Sequence, residues 1–431
     1  MWNVCTLPMK TEGRAEPAPP NRWLIAAAAT LVQGAVGATY AWSVFRDPLA
    51  AQFGWTIHEV TLAYSLNVFG LGIFAFLGGL WMRRVGPRTV GLTAGLLYGL
   101  GLILAGLAGD RLWALYLGFG VIGGIGRGLG WVVSVAIVVK WFPDRRGLIT
   151  GLSSAGNGFG ALVAAPLATG LIGAIGVLPT FTVLGAGLLV LVAGAAPMLR
   201  EPPEGYGPPG WEPTSTPVQQ ASQHDYTVSN ALRTPQWYGL WGLLFVSSTA
   251  GLAIFSHAAP MACELTGIGP MAAAGVVGIM SVANAGGRLG WAWLSDLLGR
   301  RTVSLAMLVL LAAALRTLPL TAGVVGFTLV AATTMLCFGG GLGTMPAFAA
   351  DFFGAKHVGP IVGLLMTAQG CAAMIGPLLL ASARETSGSY GPAVSMVALA
   401  VAVFTILPLA LRPPASPSAY APMPVMAQPT R

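Results

Sequence analysis

The chain has 431 residues, of which 55% are hydrophobic and 8% charged, with a mean hydropathy of +0.74 and a formal net charge of +8. A soluble globular domain carries about 25% charged residues, so this composition excludes a water-soluble fold, which would have too little charge to cover its surface. Cys5, Cys263, Cys337 and Cys371 are scattered without paired spacing, which excludes a disulfide framework and a CxxC metal site.

Residues 1–22 are polar and Pro-rich and read as a tail. Apolar blocks follow near 23–45, 60–81, 90–108, 112–139, 148–175 and 179–199. Each is long enough to cross about 30 Å of hydrocarbon at 1.5 Å per residue. The first is too long for a signal-peptide core and lacks a clear cleavage site, so it reads as retained. A stretch rich in Pro, Gly and Ser over 200–235 interrupts the pattern. Six more blocks fall near 236–258, 270–294, 302–320, 324–347, 359–381 and 390–411, before a Pro-rich tail over 412–431. The expected fold is therefore all-α and integral to the membrane, with twelve transmembrane helices in two six-helix bundles, 23–199 and 236–411. Sixty glycines suit such a bundle, because small residues let helix backbones approach closely in a bilayer.

Orientation follows from Lys and Arg. With both termini inside, cytoplasmic segments hold 16 of the 22: Lys10, Arg14, Arg22, Arg83, Arg84, Arg88, Lys140, Arg145, Arg146, Arg200, Arg233, Arg300, Arg301, Lys356, Arg412 and Arg431. Outer loops hold Arg46, Arg111, Arg316 and Arg384. That asymmetry places both termini and the linker in the cytoplasm, in an inner or plasma membrane. It also accounts for the basic charge without nucleic acid.

The halves repeat. Gly79-Leu80-Trp81-Met82-Arg83-Arg84-Val85-Gly86-Pro87-Arg88 follows the second block, and Ala292-Trp293-Leu294-Ser295-Asp296-Leu297-Leu298-Gly299-Arg300-Arg301 follows the eighth, 213 positions later. Trp141-Phe142 with Gly147 and Gly151 is echoed by Phe352-Phe353 with Gly359 and Gly363. Two halves of the same topology are the signature of a rocking carrier with its site between them, near mid-membrane.

Two charges lie deep within blocks, Arg127 in the fourth and Arg288 in the eighth. An intramembrane arginine costs at least about 2.5–3.5 kcal/mol. No Asp or Glu lies well inside any block: Asp296 and Asp351 fall at cytoplasmic ends, and Glu59, Glu264 and Glu385 belong to outer loops. An anionic ligand is the natural counter-ion, since a guanidinium matches a carboxylate in bidentate geometry. A charge bonded to backbone carbonyls between helices is the competing reading for both arginines. Asn284 precedes Arg288 by one helical turn on the same face. Trp131, one turn after Arg127, either stacks on it or packs against neighbours. Tyr40 and Trp42 line the cavity or belong to an interfacial aromatic belt at the outer end of the first block. His257, near the outer end of the seventh, either titrates or is a satisfied interface histidine. Asn157 aligns with Gln369 in the other half, and these amides either face the cavity or join helices.

Over nearly its whole length the chain resembles the major facilitator superfamily, and within it the oxalate/formate antiporter family, a neighbour of the monocarboxylate transporters. The carrying segments are Tyr40-Ala41-Trp42-Ser43-Val44-Phe45, Lys140-Trp141-Phe142-Pro143-Asp144-Arg145-Arg146-Gly147, Glu204-Gly205-Tyr206-Gly207-Pro208-Pro209-Gly210-Trp211, Asn284 to Arg301, and Pro346-Ala347-Phe348-Ala349-Ala350-Asp351-Phe352-Phe353-Gly354. The resemblance implies alternating-access transport of a small carboxylate by a monomer without a cofactor, with Arg288 binding the carboxylate. Asn284 stands where proton-coupled relatives often have an aspartate, which weighs against symport of that type. Gln369 stands where the oxalate-specific member is expected to have a lysine, which weighs against oxalate. Arg127 departs from relatives that are often uncharged there, and would supply a second positive charge for a dicarboxylate. Arg83, Arg84, Arg88, Asp296, Arg300 and Arg301 are expected to fasten cytoplasmic helix ends and act in gating. Arg83 replaces the usual acid of the first copy, whereas Asp296 keeps it in the second. A membrane enzyme, a lipophilic-cation exporter and a sensor find no support: there is no metal cluster, GxSxG or phosphate loop, no cavity acid, and both tails are short.

Overall fold

A computed structural model describes residues 21–142, 144, 146–203, 206–208, 226–321, 323–354 and 357–414. Lys10, Arg14, Arg145, Lys356 and Arg431 of the charge pattern lie outside the described residues, as do Glu204, Gly205, Pro209, Gly210 and Trp211 of the linker. All regular structure among the described residues is helical.

Among the described residues, eleven helical runs are long and apolar enough to cross a membrane, and one of them is two helices. Ile57–Gly106 is continuous in hydrogen bonding over 50 residues, yet at 1.5 Å per residue it would be about 75 Å long, far beyond a bilayer. It breaks at Gly86, whose backbone sits at φ 79° and ψ 164°, followed by Pro87. A residue with a Cβ is strained there, and proline fits the first turn after the reversal. The twelve helices are α1 (Arg22–Phe53), α2 (57–85), α3 (87–106), α4 (Leu112–Trp141), α5 (Arg146–Ile175), α6 (Val177–Met198), α7 (Pro235–Thr266), α8 (Pro270–Leu298), α9 (Arg300–Leu320), α10 (Gly323–Phe353), α11 (Val358–Ser387) and α12 (Gly391–Ala410).

The outer surface carries exposed aliphatic side chains such as Val190, Val325, Leu329, Leu399 and Val403. Hydrocarbon is the medium that accepts such a surface, and helices satisfy every backbone group within it. The chain is a multi-pass membrane protein.

Polar ends of several helices extend further than hydropathy indicates. Arg46, Glu59, Glu264 and Glu385, expected in loops, all lie within helices. Local bonds explain this. Arg46 is paired with Asp47 at 2.7 Å. Thr56 and Glu59 form a reciprocal capping box that starts α2. Glu264 accepts from Arg384 at 3.0 Å. Because α1 continues to Phe53, Tyr40 falls in the middle of that helix rather than at its outer end.

The halves meet along α5 with α8, α2 with α11, and α1 with α7. Gly158 of α5 lies against Ala285 of α8, where a Cβ would come within 2.7 Å of the alanine Cβ. Gly72 of α2 lies against Met366 and Gly370 of α11.

Candidate functional site

Arg288 is presented from α8 at the centre of the bundle and is 4% exposed. Its position is set by two glycines one turn apart on α10. A Cβ on Gly339 would sit 2.0 Å from the Asn284 carbonyl oxygen, and one on Gly343 would sit 2.3 Å from that of Arg288. The backbone of α8 is thus pressed against α10 at the two residues of the Asn-x-x-x-Arg motif. Asn284 Nδ2 donates to the Met335 carbonyl at 3.3 Å, which turns its Oδ1 to accept from Arg288 Nε at 3.2 Å. The rest of the guanidinium reaches toward the first half, where it interacts electrostatically with the Tyr40 hydroxyl.

Arg127 enters from α4 and is fully buried. Its neighbours Gly126 and Gly128 hold α4 between α3 and α2: added Cβ atoms would lie 2.3 Å from the Tyr98 nitrogen and 3.0 Å from the Ala75 nitrogen. Arg127 Nη1 donates to Asn67 Oδ1 at 3.3 Å, and Asn67 is fixed through its Nδ2 to the Phe119 carbonyl at 2.8 Å. The guanidinium carbon lies 5.1 Å from the centroid of the Tyr40 ring, within cation–π range. Nε and Nη2 of Arg127 are buried with no partner, as is the Tyr64 hydroxyl nearby. Removing charged donors from water without an acceptor is costly, and an anion is the chemical class that would offset that cost.

Tyr40 joins the two arginines. It sits in a tightened 3-10 stretch, Ala38–Trp42, in the middle of α1, and its ring stacks on Phe255 of α7 at 4.7 Å and 8°. Such stretches inside long helices often mark functional hinges. One aromatic side chain therefore touches a cation from each half and an aromatic ring across the interface. Trp42 belongs to packing instead, stacked on Phe119 at 4.5 Å and close to Phe45 and Tyr64.

The other amides occupy different places. Gln369 is buried in α11, next to Gly370, which packs on Phe69 and Gly72. Asn157 Nδ2 donates to Gln33 Oε1 at 3.2 Å, tying α5 to α1 within the first half, and its Oδ1 has no partner. Trp131 is half-buried, and its carbonyl accepts from Gln33 Nε2 at 3.5 Å. The ring that the Arg127 guanidinium approaches is that of Tyr40.

The basic loop residues lie far from this cluster. Arg300 donates to Asp351 Oδ2 at 2.9 Å and pairs with Asp296 at 2.5 Å, so it ties α8, α9 and α10 together. Arg301 donates to the Pro408 carbonyl at 3.1 Å. In the first half Arg88 donates to the Pro197 carbonyl at 3.2 Å, while Arg83 and Arg84 are exposed. The cavity of about 430 Å³ between α1, α5 and α6 is lined by Leu31, Phe159, Val163, Phe181 and Leu191 and is apolar, so it offers nothing to an anion.

Sequence reading missed Asn67 and Tyr64. Both are polar groups inside the second apolar block, which is the signal that would have raised them. It also missed Arg46, which is 3% exposed and donates to both His257 and Tyr390 across the interface.

The family model of the Major Facilitator Superfamily matches residues 23–377. The chain is 30% identical over 348 residues to an uncharacterized MFS-type transporter, YhjX, of Escherichia coli (strain K12), covering 80% of this chain and 84% of that one. It is 27% identical over 399 residues to the oxalate:formate antiporter of Oxalobacter formigenes, covering 90% and 92%. The fold matches the crystal structure of a bacterial homologue of the human lysosomal transporter Spinster, in an inward-facing and unoccupied conformation, with a TM-score of 0.68 at 16% identity over 90% of this chain and 95% of that one.

Proposed function

The chain belongs to the Major Facilitator Superfamily, and from that premise we propose that it carries small carboxylates across a cell membrane by alternating access, working as an exchanger. The observation that carries this reading is the pair Arg127 and Arg288, two buried cations from opposite halves that no Asp or Glu among the described residues neutralises. A carboxylate between the halves would accept from both and offset the cost of each buried charge. An empty carrier leaves them uncompensated at every crossing and so switches slowly, which favours exchange over net flux. The similarity to the oxalate:formate antiporter supports the same substrate class.

The two unpartnered nitrogens of Arg127 support a finer reading, that the preferred substrate carries two carboxylates, one for each guanidinium. Gln369, a neutral amide, would donate hydrogen bonds to the substrate without adding charge. In this reading residues 23–199 and 236–411 rock as two bundles around the site, and the linker and both termini face the cytoplasm. The carrier works as a monomer, and the Arg88 and Arg300 contacts brace helix ends during the movement.

Counterflow in proteoliposomes tests it, with a panel of labelled mono- and dicarboxylates and with or without a pH gradient. Gradient-independent exchange, lost in Arg288→Gln, is the expected result. Uptake that requires inward protons would move the assignment to symport. No carboxylate movement, or normal transport by Arg288→Gln, would overturn it.

A further inference from the structure

The two halves are also joined at the end of the bundle remote from the chain termini. Arg46 of α1 donates through Nη1 to His257 of α7 and to the Tyr390 hydroxyl, the latter at 2.6 Å. A second crossing joins His58 of α2 to Ser382 and Glu385 of α11, at 3.1 and 2.7 Å. The first crossing is buried: His257 is fully shielded and Arg46 is 3% exposed.

Its hydrogen bonds fix the protonation state of His257. Nε2 lies 2.9 Å from the Pro377 carbonyl oxygen, which only accepts, so Nε2 carries a hydrogen. Nδ1 faces Arg46 Nη1, which only donates, so Nδ1 offers a lone pair. The closed end therefore requires neutral imidazole. An added proton would remove the acceptor and place two cations in contact. The other charged and titratable groups nearby do not replace that acceptor. Asp47 is bonded to Arg46 but is 57% exposed, so its compensation is screened. Glu264 is committed to Arg384 at 3.0 Å, and Arg384 approaches the Tyr390 ring as a further cation. Cys263, close to Asp47, carries no charge as a thiol.

We propose that His257 is a proton-binding site that unlocks the terminus-remote end of the carrier by breaking its contact with Arg46. The proposal rests on the alternating-access reading. It also sets the proton's route. His257 must lose its proton before Arg46 can dock again, and it does so while that end is open. The proton therefore returns to the side it came from, and it regulates exchange without being carried.

The test is a spin-label distance measurement on the full chain in liposomes, with the native cysteines replaced and labels at Gln52→Cys and Ser387→Cys, one on each half at that end. It needs no substrate, so its outcome is independent of the carboxylate assignment. Acidification from about pH 8 to about pH 5 spans histidine titration. It is expected to raise the long-distance population about tenfold for each unit by which the open state holds the proton more tightly. His257→Gln keeps an amide oxygen for Arg46 and an amide hydrogen for Pro377, and should stay at the short distance throughout. Arg46→Gln removes the second cation and should flatten the response. His58→Gln should respond as the unmodified chain does. A distance unaffected by pH, an unchanged response in His257→Gln, or a response abolished by His58→Gln overturns the proposal.

Discussion

Arg127 and Arg288 approach the same side chain from opposite halves: the first lies 5.1 Å from the centroid of the Tyr40 ring, and the second interacts electrostatically with its hydroxyl. Tyr40 is thus in contact with groups from both halves. Tyr40→Phe keeps the ring for Arg127 and removes only the hydroxyl. Loss of one charge-assisted hydrogen bond corresponds to about 1.5–3 kcal/mol, or roughly ten- to a hundredfold weaker apparent affinity. Tyr40→Leu, which also removes the ring, should be worse. Equal exchange by Tyr40→Phe and the unmodified protein would show that the hydroxyl is not used.

Arg288→Gln should reduce exchange by about thirtyfold or more, because truncating one partner of a buried charged pair costs about 2–5 kcal/mol. Arg288→Lys keeps the charge and loses the planar fork, so partial activity with a raised KM is expected. Initial rates of counterflow at varied substrate concentration separate the two.

Arg127 should show opposite effects on function and stability. It is buried with two unsatisfied donors, so Arg127→Met should raise the thermal stability of the substrate-free protein, by about 1–4 kcal/mol on the scale of buried charges replaced by apolar residues. The same change should weaken dicarboxylate exchange more than monocarboxylate exchange. Thermal unfolding in detergent with and without substrate, alongside the transport panel, reads both. A destabilised Arg127→Met would mean that the guanidinium is already satisfied in the empty state.

The helical architecture and both buried arginines were legible because hydropathy and charge are written locally along the chain. What was not legible depended on neighbours distant in sequence. Arg46 read as a loop residue, because a charge at the end of an apolar block usually faces water, and only the fold brings His257 and Tyr390 to it. Tyr40 reads equally as cavity lining or as part of a belt because hydropathy falls at Arg46, whereas Arg46 finds buried partners in His257 and Tyr390 and the helix runs on to Phe53. Asn67 went unnoticed as an isolated amide, since its role depends on α4 delivering Arg127 to it.

The Arg300 cluster should behave as a brace within one half. Arg300, Asp296 and Asp351 all belong to the second half, and both carboxylates are at least 36% exposed. Such pairs are worth about 0.2–1 kcal/mol each. Asp351→Asn should therefore lower thermal stability slightly and leave the maximal exchange rate within about fivefold, with KM unchanged. A loss of exchange far larger than that, in a protein of normal stability, would identify the cluster as a gate between states.

Gly72 offers a steric test of the contact between the halves. It faces α11, where an added Cβ would lie 2.9 Å from the Met366 carbonyl oxygen and 3.0 Å from the Gly370 Cα. Both are backbone atoms that cannot swing aside, so any side chain must push α2 and α11 apart. The penalty falls on the state in which these helices touch and spares a state in which they separate. Gly72→Ala should shift the equilibrium and slow exchange, and Gly72→Val should slow it by about tenfold or more, since overpacking costs about 1–3 kcal/mol. Gly187 on α6 has open space around its would-be Cβ, so Gly187→Ala should exchange normally. The two series, measured as counterflow rates on protein of verified thermal stability, separate contact between the halves from general intolerance of substitution. Exchange at the unmodified rate by Gly72→Val would mean that α2 and α11 are never this close during transport.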